Sequence, residues 1–128
     1  MDTGKSALGL DGNVAAALGY PIGIIAIISL VMEKENRFVK LHAIQSLLYH
    51  AAAIIVFVVL VIVLTILTIV LALISSALGA LSSLLWLLYM IVFLAYLIGL
   101  IYAAVKAYNG DKFMLPVIGG MADKWTGN

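Results

Sequence analysis

From residue 51 to residue 105 the chain contains no aspartate, glutamate, lysine, arginine or histidine. A domain folded in water needs charged groups on its surface, and a stretch this long without one has no solvated face to offer. Of the 128 residues, 66% are hydrophobic and 10% charged, against roughly 45–50% and about 25% in soluble domains. The solvent for most of this chain is lipid. The expected fold class is an all-α integral membrane protein.

Three apolar runs predict three transmembrane helices. The first, 14–32, makes about 28 Å of helix, close to the roughly 30 Å hydrocarbon core. Asp11 or Asn13 is placed to cap it, and Pro21 should kink or unwind it around Gly19 and Tyr20. The run is too long for a signal peptide, with no small-residue cleavage site before Glu33, so it reads as a retained anchor.

The second run, 43–76, is too long for one perpendicular crossing. Its tilt would have to exceed the usual range of about 0–40°. The crossing is therefore expected at 53–74, with the preceding turns in the headgroup zone or inside the protein. Residues 75–83 read as a short uncharged turn centred on Gly79. The third crossing, 84–108, carries Trp86 and Tyr89 at one end and Tyr102 and Tyr108 at the other, as interfaces favour.

Asn109-Gly110 should stop that helix. Pro116 can open a short C-terminal interfacial helix bearing Lys124 and Trp125. Residues 1–12 form a polar N-terminal segment, and 13–126 a single helical membrane domain. Thr3-Gly4-Lys5-Ser6 lacks the upstream glycine and the strand of a phosphate-binding loop, so no nucleotide site is assigned.

With three crossings, Lys34, Arg37, Lys40, Lys106, Lys112 and Lys124 share one side and Lys5 stands on the other. That bias predicts a multi-pass cell-membrane protein with the N-terminus outside and the 33–42 loop and C-terminus cytoplasmic. The loop reads as a short amphipathic segment, where Glu33 and Arg37 can pair at i,i+4. Lys34, Arg37 and Lys40 are candidate contacts for lipid headgroups.

His42, Gln45, Ser46, Tyr49 and His50 recur at three- and four-residue spacing, which places them on one stripe at the start of the second helix. One reading has them hydrogen-bonding the tail and the first loop as interface residues. The other has them facing a vestibule, a headgroup, a peptide or a proton path. Two histidines without a carboxylate beside them are too few ligands for zinc, so no metal site is expected.

The chain has no cysteine, and it shows no paired carboxylates and no recognisable nucleophile set, so neither an enzyme nor a cofactor is expected. A net charge of +1 gives no basic surface for nucleic acid. Ala15, Gly19 and Gly23, and the longer series Ala95, Gly99, Ala103 and Ala107, repeat every four residues, a spacing that lets helices pack closely in lipid. The longer seam is the expected face of a homo-oligomer.

Two stretches suggest a family. They are Glu33-Lys34-Glu35-Asn36-Arg37-Phe38-Val39-Lys40-Leu41-His42-Ala43-Ile44-Gln45-Ser46-Leu47, and Leu115-Pro116-Val117-Ile118-Gly119 followed by Ala122. Together they resemble the small prokaryotic Tic-twenty-like membrane proteins, related to a chloroplast inner-envelope import component. The resemblance implies membrane location and a helical fold over roughly residues 13–123.

Two functions follow as expectations. The first is a structural or accessory subunit of a membrane assembly, contacting lipids and a membrane-protein or peptide partner and concerned with protein handling. The second is a homo-oligomeric channel or conduit for ions or small solutes, with the stripe at its mouth.

Overall fold

The computed structural model describes residues 3–127. Met1, Asp2 and Asn128, which belong to the polar N-terminal segment and the tail, lie outside it. The described residues are all-helical apart from an isolated bridge pairing of Lys5 with Asp11. Helices α1 (Gly12–Leu18), α2 (Gly23–Met32), α3 (Arg37–Ile74), α4 (Ser76–Ser82), α5 (Trp86–Tyr108) and α6 (Ile118–Trp125) follow one another, with a 3₁₀ turn at Ser83–Leu85. By length and composition α3 and the run Ser76–Tyr108 could each cross a membrane; Gly23–Met32 is shorter.

The expected first crossing, 14–32, is not one rod. Pro21 lacks the amide that would continue α1, and the chain turns through Gly19–Ile22 before α2 begins. A Cβ placed on Gly19 would lie 3.5 Å from that of Ala26, a separation that a continuous helix does not allow between residues seven apart. The helices fold back on each other, and their outer ends meet. Ala7 N donates to Glu33 Oε2 at 2.8 Å, and Asn36 Nδ2 donates to the carbonyls of Thr3 (2.8 Å) and Lys5 (3.1 Å). Asn13 Nδ2 donates to the Tyr108 carbonyl. The N-terminal segment, expected opposite Lys34, is hydrogen-bonded to Glu33 and Asn36 on either side of it, and the start of α1 to the end of α5.

Other boundaries shift for identifiable reasons. The expected amphipathic segment at 33–42 has no helix of its own, because α3 starts at Arg37. Asn36 caps it, its Oδ1 accepting from Val39 N at 3.1 Å. Glu33 does not reach along a helix to Arg37; it is buried and accepts from the amides of Ala7 and Asn36. The expected turn at 75–83 narrows to Ser75, whose hydroxyl caps α4 by accepting from Leu78 N. Gly79 is helical, and a Cβ there would sit 2.9 Å from that of Ala72. Asp11 stands before α1 but makes no side-chain cap; it pairs with Lys5.

The chain divides into two compact units, one formed by Met1–Ala51 with Gly99–Asn128, the other by Ala52–Ile98. Within Ala52–Ile98, Phe57 meets Tyr89, Phe93 and Tyr96 at ring-centroid distances of 5.2, 6.0 and 5.8 Å. Thr68 donates to the Leu64 carbonyl and accepts from Trp86 Nε1. The first bond is the one expected of a threonine inside an apolar helix. Within the other unit, Leu41 and Ile44 of α3 pack on Ala122 of α6, flanked by Leu30 and Leu48.

The expected oligomer seam is used inside that unit. Ala103 and Ala107 are fully buried, and a Cβ on Gly99 would come 2.4 Å from Tyr49 Oη. Ala95 alone of the four is exposed. The close approach that small residues allow is taken up by the chain's own Tyr49 at Gly99 and by intrachain burial at Ala103 and Ala107.

Candidate functional site: a polar knot at the start of α3

The helical repeat puts His42, Gln45, Ser46, Tyr49 and His50 along one side of α3, and the structure buries the first three completely. Facing them is Tyr20, also fully buried, in the turn between α1 and α2. Its hydroxyl lies 2.8 Å from His42 Nδ1 and accepts from Gln45 Nε2 at 2.7 Å. His42 Nε2 is 3.1 Å from the Asp111 carbonyl, which can only accept. The proton therefore belongs on Nε2, and Nδ1 accepts from the Tyr20 hydroxyl.

Gln45 is used in full. Its Nε2 also donates to the Phe113 carbonyl at 3.1 Å, and its Oε1 accepts from Leu115 N at 2.9 Å. The side chain thus fastens the turn at Tyr20 on one side and the chain after α5 on the other. Each of these groups would cost about 1–3 kcal/mol if left buried without a partner.

Ser46 and His50 serve the break at Pro21. A helix that stops leaves carbonyls without amide partners. Ser46 Oγ donates to the Gly19 carbonyl at 2.7 Å and His50 Nε2 to that of Tyr20 at 2.8 Å. Rings complete the packing: Phe38 and Tyr20 each meet His42 edge-on, at 4.6 and 5.8 Å. His42 sits in the second turn of α3, beside the chain that follows α5. Burial pushes its pKa down from 6.5 to about 4, and the bond to the Asp111 carbonyl opposes this only in part. The ring is neutral at physiological pH.

The arrangement is a fastening. Four cavities among the described residues have walls made by residues other than Tyr20, His42, Gln45, Ser46, Tyr49 and His50. Lys34 and Arg37 are exposed and Lys40 half-buried, all outside the knot. Arg37 and Phe38 divide two of the cavities: one of about 610 Å³, with Lys5, Glu35 and Asn36 in its wall, and one of about 270 Å³, with Lys112 and Asp123. Among the described residues no three of His, Cys, Asp and Glu converge as metal ligands.

Sequence reasoning found the stripe and missed its hub. A tyrosine inside an apolar run must find a partner for its hydroxyl, and that requirement pointed to Tyr20. Asn36 and Glu33 were also missed as clasps. An asparagine one residue ahead of a helix is the available signal for the first.

The sequence profile of the magnetosome magnetite crystal formation protein family, MamF_MmsF, matches residues 7–122. The chain is 39% identical over 124 residues to a UPF0132 membrane protein of Methanocaldococcus jannaschii, covering 96% of each. It is 37% identical over 116 residues to a UPF0132 membrane protein of Archaeoglobus fulgidus, covering 90% of this chain and 95% of the relative. No solved structure matches. These matches correct the Tic-twenty-like resemblance: they span both stretches that suggested it, and none leads to that family.

Proposed function

We propose, from the premise that the chain belongs to the MamF_MmsF family of magnetosome magnetite crystal formation proteins, that it is a structural or accessory subunit of a membrane assembly. It performs no chemistry of its own. The observation that carries this reading is the internal use of the knot: His42, Gln45 and Ser46 have no exposed surface, and their bonds go to Tyr20 and to backbone. What remains for contact is the charged exterior at Lys34, Arg37 and Lys40. The names of the two archaeal relatives say only that they are membrane proteins. The family's description ties it to crystal formation. Support of a membrane-bound assembly is the role compatible with both.

In this reading the protein is multi-pass, with α3 and α5 as its crossings. All seven lysines and arginines lie outside Ala52–Ile98, and the cytoplasmic side is theirs. Self-association uses outward faces, because Gly99, Ala103 and Ala107 are engaged within the chain.

Amine-reactive crosslinking in native membranes tests the proposal. Lys34 and Lys40 should give conjugates with other membrane proteins or with a second copy, and replacing Lys34, Arg37 and Lys40 with glutamine should abolish them without changing the melting profile. Conjugates to lipid alone would overturn it. The conduit reading places the stripe at a pore mouth, whereas its groups are engaged internally; protein-containing liposomes should show no ion or solute flux above empty ones.

A further inference from the structure

The two short helices at the start of the chain pose a problem of placement. At about 1.5 Å per residue, α1 and α2 are roughly 10 and 15 Å long, and neither crosses a hydrocarbon layer of about 30 Å. Their outer ends are tied together through Ala7–Glu33, Asn36–Thr3 and Asn36–Lys5, and the start of α1 is tied to the end of α5 through Asn13–Tyr108. The bend between them is clamped to α3 by Ser46 and His50. Entry and exit are therefore on one face.

That face is the charged one, bearing Lys5, Lys34, Arg37 and Lys40. Between entry and exit the outward surface is oily. Ile24, Ile27, Ile28 and Val31 follow the helical repeat along α2, and Ile24 and Val31 are 69% and 74% exposed. A groove of about 290 Å³ beside the bend has Pro21, Leu100, Ile101, Val105 and Tyr108 among its lining residues.

We infer that α1 and α2 form a hairpin that dips into the membrane from the charged face and returns to it, lodged in the acyl chains of that single leaflet. An acyl chain of the same leaflet fills the groove beside Pro21. The occupant is lipid because the groove's wall is apolar and is continuous with the aliphatic stripe of Ile24, Ile27, Ile28 and Val31 on α2 and with the exposed Ile101 and Val105 of α5. The cations at the hairpin's flanks are placed at the level of anionic headgroups. The chain therefore crosses twice, and its N-terminal segment and tail share a side.

The absence of native cysteine makes the test direct. Single variants Leu10→Cys, Lys34→Cys, Lys112→Cys, Ser76→Cys and Ile22→Cys of the full chain are treated with a membrane-impermeant maleimide, in right-side-out and in inverted vesicles. Positions 10, 34 and 112 should label together from one side, and position 76 from the other. Ile22→Cys should resist the reagent from both sides and react only in detergent. Labelling of position 10 from the side opposite position 34 would overturn the hairpin. Labelling of Ile22→Cys in intact vesicles would overturn its burial in lipid, from the near side showing exposure to water and from the far side a full crossing. Asp11→Cys and Lys124→Cys replace Leu10→Cys and Lys112→Cys should either variant fail to accumulate.

Discussion

Within Ala52–Ile98 the contacts are apolar and the surfaces open. Phe57 meets three rings, Thr68 and Trp86 share one hydrogen bond, and of the described residues only Leu64 and Ser82 are buried. The unit built from Met1–Ala51 and Gly99–Asn128 has the opposite interior. Tyr20, His42, Gln45 and Ser46 are fully buried there, and each is bonded to a partner far away in sequence. Lipid gives apolar side chains little reason to leave it, so a helix pair in a bilayer is held by modest packing terms and a few polar contacts. A network of buried donors and acceptors specifies one arrangement, because each unmet group is costly. The long-range polar bonds of the knot lie in that unit.

The sharpest way to break that contrast is Gln45→Leu. It removes two donated bonds and one accepted bond, taking a donor from the buried Tyr20 hydroxyl and leaving the half-buried Leu115 N and Phe113 carbonyl without that partner. A loss of roughly 3–6 kcal/mol is expected, seen as a much lower melting temperature in detergent and rapid proteolysis of the tail.

Acid should weaken the same unit. The folded pKa of His42 is depressed to about 4 from 6.5, so the unfolded chain takes up the proton first as pH falls. The stabilising contribution is complete above 6.5 and declines as pH falls through 6.5 toward 4, by about 3 kcal/mol in total. Thermal melts at pH 7.5, 5.5 and 4.5 should show the decline, and His42→Asn should flatten it.

Gly99→Ala sets a methyl 2.4 Å from Tyr49 Oη. A cost of about 1–3 kcal/mol is expected, and the double variant with Tyr49→Phe should be less destabilised than the sum of the two single variants. The smallest effect belongs to Ala52–Ile98: Thr68→Val removes the acceptor for Trp86 at about 0.6 kcal/mol. A larger loss there than at Gln45 would reverse the comparison.

Much of this was legible in the residues. The long uncharged runs identified the helices α3 and α5, and the three- and four-residue spacing placed His42, Gln45, Ser46 and His50 on one face. The bonds of this face run to Asp111, Phe113 and Leu115 after α5, and to Gly19 and Tyr20, which lie inside the run 14–32 and not in the loop at 33–42.

What was not legible is where a broken segment goes next. Pro21 announces a break, but a kinked rod and a fold-back hairpin leave the same apolar pattern. Only long-range bonds such as Ala7–Glu33 separate them. The seam at Gly99, Ala103 and Ala107 likewise reports close approach without naming the partner, and that partner lies within the chain.

The charge-free stretch from residue 51 to 105 bears on how the protein reaches its membrane. If the hairpin of α1 and α2 returns to its own face as inferred, the only segment to be carried to the far side is the link around Ser75 and α4, made of small residues, serines and leucines. No ion has to be stripped of water during insertion, and no large soluble portion has to be threaded through. On that inference the two long helices can slide in together as a loop, and every lysine and arginine would stay in the compartment where the chain was made.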